Sequence, residues 1–124
     1  MNTSVYVDPA IDMNSEKVIS IIIHFKTKPA KVAVTLAKEK GIPLTLEKAE
    51  QEVEASHARF QDDVKRLLGQ KNITYSITYT YKTAYNGVSM KLPANEIKTL
   101  LQSKEIEGIY ANKEYHLDPP LTSI

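Results

Sequence analysis

The pattern of hydrophobic and polar positions along the chain predicts four β-strands. Residues 18–25 are mostly isoleucine and valine on both sides, which is typical of a central strand with other layers on its two faces. Residues 73–81 alternate isoleucine or tyrosine with small hydroxyl residues, and residues 85–92 alternate valine, methionine and leucine with polar residues. The fourth strand, at residues 106–110, is short and contains a glycine.

The strand at residues 73–81 indicates which side chains lie on each face of the sheet. Its unbroken alternation places Tyr75, Tyr79 and Tyr81 on one side and Thr78 and Thr80 on the other. Because the tyrosines alternate in step with two isoleucines, we expect them to point into a core that helices cover. Thr78 and Thr80 are then expected on the uncovered side of the sheet.

Three segments between the strands have helical spacing. Residues 29–40 begin with a proline, which suits a first helical turn, and a glycine follows them as a C-terminal cap. Thr45 can cap a longer helix that ends at Gly69, and Pro93 opens a third helix. The apolar stripe of the longer helix comprises Leu46, Ala49, Val53, His57, Phe60, Val64, Leu67 and Leu68.

The order of these elements predicts the fold class. Strand, two helices, strand, strand, helix and strand form an α+β fold of the ferredoxin-like, split βαβ type: a four-stranded antiparallel sheet with two main helices on one face and an extra short helix in the first crossover. Residues 1–16 are polar and lack sustained periodicity, so we expect a flexible leader. Residues 17–112 then form the folded domain and residues 113–124 an extended C-terminal tail.

The composition narrows the classes of function. The 124 residues include 16 Lys plus Arg and 15 Asp plus Glu, so no strong net field attracts nucleic acid or an anionic membrane. There is no cysteine, which removes disulfides, cysteine–zinc sites and thiol nucleophiles. The longest apolar run, residues 18–23, includes a serine and is too short to span a bilayer.

The residues offer little support for catalysis or for a bound cofactor. His24, His57 and His116 are the only histidines, and none has a second ligand at metal-binding spacing. Ser56 precedes His57, but adjacent helical residues point in different directions and do not form a catalytic pair. The glycines are scattered singly, so the sequence has no glycine-rich phosphate loop. We therefore expect no enzyme activity, no metal and no cofactor.

Three segments together resemble the propeptide inhibitor domain of subtilisin-like serine proteases. They are residues 18–26 (VISIIIHFK) with Lys28 and Pro29, residues 79–88 (YTYKTAYNGV) and residues 90–97 (MKLPANEI). The last two are fairly specific as a pair, and the likeness extends over residues 17–117. In character the chain is similar to the Vpr-like group of minor extracellular and cell-wall proteases of Gram-positive bacteria.

The resemblance implies an inhibitor and folding template that catalyses nothing itself. The uncovered face of its sheet is expected to dock on two parallel surface helices of a subtilisin-like serine protease, the catalytic domain of its own precursor. The residues expected on this docking face are Thr78, Thr80, Ser89, Lys91 and Tyr110. The resemblance further implies an intramolecular chaperone that keeps the protease a zymogen, a secreted or cell-wall associated location with the export signal outside this chain, and a monomer when isolated.

The resemblance also assigns the chain beyond the last strand to the protease active site. This tail is expected to lie in the substrate cleft as a cleaved product would, with main-chain hydrogen bonds to the edge strands of the enzyme. Its residues are Asn112, Lys113, Glu114, Tyr115, His116, Leu117 and Asp118. Asn112 could additionally cap a protease helix. Two prolines follow the tail, and because a bond onto proline is a poor cleavage site, we expect cleavage elsewhere.

Two other classes of function remain open from the residues alone. A domain of this fold could be a dimeric regulatory module that binds a small metabolite, which a thermal shift with amino acids or nucleotides would test. It could also be an RNA-binding domain with tyrosines on the open sheet face, which predicts salt-sensitive binding of oligonucleotides. Because no basic stripe accompanies the tyrosines, the sequence favours the inhibitor over the RNA-binding domain.

Overall fold

The computed structural model of the protein describes residues 5–112. The strands and helices in this part are β1 (Tyr6–Val7), β2 (Val18–Phe25), α1 (Ala30–Glu39), α2 (Leu46–Leu67), β3 (Ser76–Tyr81), β4 (Gly87–Pro93), α3 (Ile97–Leu100) and β5 (Ile106–Ala111). A 3₁₀ turn at Gly69–Lys71 follows α2, and another at Ala94–Glu96 leads into α3. The α+β class predicted from the sequence is confirmed.

The strands form one mixed sheet in the order β1-β5-β2-β4-β3. The central strand β2 pairs antiparallel with β4 and with β5, and β3 pairs antiparallel with β4. β1 adds a fifth strand, parallel to β5. The prediction of a four-stranded, fully antiparallel sheet is therefore wrong in the number of strands and in the direction of one of them.

The added strand lies in the segment predicted as a flexible leader. The backbone N–H of Asp8 donates to Ile109 at 2.8 Å, and the carboxylate of Asp8 accepts from the backbone N–H of Ala111 at 3.1 Å. Ile11 and Met13 pack against the core. Residues 6–8 thus pair along the edge of the sheet, and a strand of two residues is too short to produce a readable alternation.

α1 and α2 begin where the sequence predicts, whereas α3 begins at Ile97, after the 3₁₀ turn that follows Pro93. Thr45 caps α2, since its Oγ1 accepts a hydrogen bond from the backbone N–H of Lys48 at 3.1 Å. The stripe of α2 is buried apart from Leu46, which is exposed. α1 follows Pro29, contacts α2 and contains no buried residue, so it is an outer helix in the first crossover.

A single core joins α2 and α3 to one face of the sheet. Its buried members are Ile21, Ile23 and Phe25 of β2, Phe60, Val64 and Leu68 in and after α2, Val88, Met90 and Leu92 of β4, Ile97 and Leu100 of α3, and Ile106 and Ile109 of β5. Both helices therefore bury their apolar stripes against the same face. In the described part of the chain, this arrangement leaves the opposite face of the sheet without a helix packed on it.

Candidate docking surface

We call the sheet face opposite the helices the open face. On β2 it carries Ser20, Ile22 and His24, because side chains alternate and the isoleucines between them are buried in the core. Residues paired across antiparallel strands share a face. Lys91 pairs with Ser20, and Ser89 pairs with Ile22, so both lie on the open face.

A bulge changes which side chains of β3 lie on this face. Ile77 pairs with Met90 and Tyr79 pairs with Ser89, so the neighbouring strand advances by one residue while β3 advances by two. Thr78 is the extra residue. A bulge of this kind reverses the alternation of every side chain that follows it.

The reversal brings two tyrosines to the open face and contradicts the sequence expectation. Tyr79 lies there with 68% of its surface exposed, and the Tyr81 hydroxyl is 2.8 Å from Ser89 Oγ, in hydrogen-bonding contact. Thr80 instead pairs with Val88, whose side chain is buried in the core. The predictions that Tyr79 and Tyr81 point into the core and that Thr80 lies on the open face are wrong, because the sequence pattern contains no sign of the bulge.

The open face carries a continuous line of aromatic rings, which we call the ring row. In spatial order it consists of Tyr6, Tyr110, His24, Tyr85, Tyr81 and Tyr79. Successive ring centroids are 5.3, 4.9, 4.3, 4.8 and 6.2 Å apart. These separations are those of attractive aromatic pairs, so the rings hold one another in place. The row runs from edge strand β1 to edge strand β3.

A glycine makes room for the middle of the row. Gly108 pairs with Tyr6 on one side and with His24 on the other. A Cβ atom at this position would lie 2.9 Å from the Tyr110 hydroxyl oxygen, closer than side chains tolerate. The missing side chain therefore lets the Tyr110 ring lie over the strand and reach both neighbours.

The other end of the open face is polar. The side-chain amide of Asn112 donates to Ser20 Oγ at 3.2 Å, and its backbone N–H donates to the Ser20 carbonyl at 3.1 Å. Ser20, Lys91 and Asn112 line a cavity of about 680 Å³ together with part of the segment before β2, including Asp12 and Lys17. The open face thus has an aromatic half and a polar half.

The position of His24 within the row affects its ionisation. Burial lowers the pKa of His24 below its ordinary value, because desolvation disfavours the imidazolium ion. Glu107 opposes this shift and raises the pKa, whereas Lys28 lowers it further. His24 consequently favours its neutral form, which packs between the rings of Tyr85 and Tyr110.

The Ser56 and His57 side chains belong to a buried polar cluster behind the sheet. The amide of Asn86 donates to Ser56 Oγ at 2.9 Å and to the carbonyl of Thr27 at 3.0 Å. Its Oδ1 lies 2.8 Å from His57 Nε2, so the imidazole donates there. Ser56 donates in turn to the Val53 carbonyl at 2.6 Å. The three side chains of this cluster are committed to structural hydrogen bonds, and Ser56 and His57 are not arranged as a nucleophile and its base.

Most of the chain matches a known protein family. Residues 20–118 match the family model described as peptidase inhibitor I9. Among the described elements, the matched segment contains α1, α2, α3, β3, β4, β5 and all but the first two residues of β2. The chain belongs to the peptidase inhibitor I9 family.

A curated relative agrees with this assignment. The I9 chain is 32% identical over 108 residues to the minor extracellular protease Vpr of Bacillus subtilis strain 168. The aligned region covers 87% of the chain and 12% of that protein, so the chain corresponds to a small part of the protease. The resemblance drawn from the sequence motifs is confirmed.

The structure brings some of the expected docking residues of this I9 domain together and separates others. Ser89, Lys91 and Tyr110 lie on the open face, and Ser89 is buried beneath the rings there. Thr78 is exposed at the bulge, and Thr80 lies on the helix side at the edge strand. From the sequence, tyrosines were expected on the open face only in the RNA-binding alternative, and the ring row was missed for the inhibitor, although the seven tyrosines in the composition were a signal for it.

The expected tail is described only at its start. Asn112 continues the line of β5 beside Ser20, and Lys113, Glu114, Tyr115, His116, Leu117 and Asp118 lie outside the described residues.

Within residues 5–112, no cluster of three or more potential metal ligands occurs. No helix in this part combines the length and the apolar character that crossing a membrane requires.

Proposed function

We propose that the chain is the propeptide domain of a secreted subtilisin-like serine protease, acting as a temporary active-site inhibitor and as an intramolecular folding chaperone. Membership of the peptidase inhibitor I9 family carries this proposal. The 32% sequence identity to part of the extracellular protease Vpr supports the protease class and an extracellular location. The domain itself contributes no catalytic step.

The shape of the open face supports docking onto helices. Five strands at a spacing of about 4.8 Å give a face roughly 19 Å wide. Two helices packed side by side need an axial separation of about 8–10 Å, so both fit across this width. We assign the ferredoxin-like arrangement to β2, β3, β4 and β5, whose order and antiparallel pairing agree with it, and regard β1 as an addition at one edge.

The direction of the chain after β5 supports a role for residues 112–118 in the protease cleft. β5 ends at Ala111, and the bonds of Asn112 to Ser20 extend its line by one residue. An extended segment that continues from the end of a strand can add to the edge strands of an enzyme through main-chain hydrogen bonds. The tail would then occupy the substrate cleft while the open face holds the domain in place.

The chaperone role is supported by the slow folding expected of a subtilisin-like protease, whose sheet consists of parallel strands. Parallel strands are joined by long crossovers, so loop entropy is lost before the long-range contacts form. A preformed antiparallel sheet that binds the helices of the unfinished protease lowers that barrier. The same contact blocks the cleft until the domain is removed by cleavage.

Inhibition kinetics test the proposal. Purified residues 1–124 added to a subtilisin-type catalytic domain should inhibit peptide hydrolysis competitively, and inhibition should fade as the domain is digested. Trypsin, an unrelated serine protease fold, should be unaffected. Lack of inhibition by folded protein at about 10 μM would correspond to a binding free energy weaker than about −7 kcal/mol and would contradict the proposal.

Removal of the tail separates its contribution from that of the open face. A chain ending at Asn112 keeps every described strand and helix and should stay folded. We expect it to bind a protease whose catalytic serine is blocked, but to compete with substrate at least about tenfold more weakly, because no segment then occupies the cleft. Equal inhibition by the two chains would contradict the assignment of the tail.

A further inference from the structure

We propose that the ring row is the main contact of the open face with the protease, that Tyr79 and Tyr6 are its anchors, and that the protease surface it binds is apolar and uncharged. This inference rests on the proposed function and identifies which half of the open face provides affinity. It replaces the hydroxyl-bearing residues Thr78 and Thr80 as the centre of the docking surface.

The rings are ordered before any partner binds. Each ring in the row contacts the next, and Tyr81 is held further by the hydrogen bond between its hydroxyl and Ser89 Oγ at 2.8 Å. Ser89 is itself fully buried in the sheet. Side chains that are already fixed lose little conformational entropy on binding, so more of their contact energy appears as affinity.

The two ends of the row expose the most ring surface. Tyr79 is 68% exposed and Tyr6 is 49% exposed, and both lie on edge strands of the sheet. Tyrosine is enriched among the interface residues whose truncation weakens binding most, because the ring offers a large apolar area and the hydroxyl tolerates water. The middle rings support the ends and provide a continuous surface between them.

The charge distribution indicates the chemistry of the partner. The ring row carries no formal charge when His24 is neutral, the form that its lowered pKa favours. The charged groups that act on His24 are Lys28 and Glu107, which pair with each other at 3.6 Å and so offset one another. Lys91 and Lys17 line the cavity at the polar half of the open face. A nucleic acid would require several cations beside the rings to contact phosphates, so the row fits an apolar protein surface better than RNA.

The anchor at Tyr6 gives the segment before β2 a function. β1 adds Tyr6 to the face through its parallel pairing with Gly108, and the Tyr6 ring lies 5.3 Å from that of Tyr110. The fifth strand therefore widens the surface beyond the four antiparallel strands that the sequence predicts. The segment once expected to be a leader becomes part of the protease-binding surface.

Single substitutions in residues 1–124 test the inference by their inhibition constants. Tyr79→Ala and Tyr6→Ala should each raise the inhibition constant against a subtilisin-type catalytic domain by at least about tenfold. Tyr79→Phe keeps the ring and should stay within about threefold of the wild type. Leu36→Ala is the matched control, because Leu36 is an exposed apolar residue on the outer helix α1, away from the open face.

The outcomes separate this inference from the proposed function. If the wild type inhibits and both tyrosine variants inhibit equally well, the ring row is not the main contact and the inference is wrong, while the proposed function stands. If the wild type fails to inhibit, the proposed function fails and the inference with it. Salt-sensitive binding of an oligouridine that Tyr79→Ala abolishes would assign the row to RNA instead. Circular dichroism confirms that each variant is folded.

Discussion

Replacing Asn86 with alanine tests how the open face is held against the helix layer. Asn86 lies between Tyr85 of the ring row and the start of β4, and only 2% of its surface is exposed. Its side chain bonds to His57 on α2, to Ser56 on α2 and to the Thr27 carbonyl after β2. Alanine removes all of these bonds, and its small side chain still allows the loop backbone to keep its conformation.

The expected magnitude follows from the groups left without a partner. His57 is 6% exposed, so its orphaned N–H should cost about 2 kcal/mol, and the partly exposed Thr27 carbonyl about 1 kcal/mol more. Ser56 keeps its bond to Val53 and adds little. The free energy of unfolding should therefore fall by about 3 kcal/mol, a large fraction of the roughly 6–18 kcal/mol expected for a domain of this size.

Urea unfolding followed by circular dichroism at 222 nm measures this change. With a slope of about 1.5 kcal/mol per molar urea, the midpoint should fall by about 2 M. Asn14→Ala is the matched control, because Asn14 is exposed and, within residues 5–112, its side chain accepts one hydrogen bond, from Lys98 Nζ at 3.2 Å. Its midpoint should move by less than about 0.5 M.

A double substitution identifies the source of the loss. His57→Ala should cost about 2 kcal/mol less in the Asn86→Ala background than in the wild type, because it then removes an imidazole N–H that is already unpaired. An Asn86→Ala midpoint equal to that of Asn14→Ala would refute a stabilising role for the buried hydrogen bonds of Asn86. Strictly additive free energies for the two buried substitutions would also refute it.

Two further changes test the packing of the open face. Gly87→Ala should lower the free energy of unfolding by about 3 kcal/mol in the same urea assay, since its Cβ would overlap the Ile23 carbonyl oxygen. Gly69→Ala is the control: because its Cβ would meet open space, the free energy of unfolding should change by less than about 0.5 kcal/mol. Because folding lowers the pKa of His24, its contribution to stability is complete above its unfolded pKa and is lost as pH falls through the folded value. Urea midpoints measured from about pH 7.5 to pH 5 should therefore fall more steeply for the wild type than for His24→Phe, and parallel curves would show that His24 is not the group responsible.

The strongly patterned elements were predictable from the sequence. β2 spans Val18–Phe25 as expected, because its run of β-branched residues suits a central strand. Thr45 caps α2 as expected, and Ile73, Tyr75 and Ile77 pack against the core on the side that the alternation gives. In these places local propensity and tertiary packing favour the same conformation.

The candidate site was less predictable, for reasons visible in particular residues. The bulge at Thr78 changes the face of Tyr79 and Tyr81 without changing the residue pattern, since tyrosine suits a core or a surface equally well. The short strand β1 forms only because β5 offers it an edge, which no local pattern can report. The ring row arises from these two features together and could be recognised only after the strands were paired.

The decisive measurement is a crystal structure of residues 1–124 bound to a subtilisin-type catalytic domain with its catalytic serine blocked. We predict that the open face lies against surface helices of the protease, with Tyr79 and Tyr6 buried in the contact and residues 112–118 extended along the substrate cleft. A complex in which the protease contacts α1 and α2 while the ring row faces solvent would contradict it.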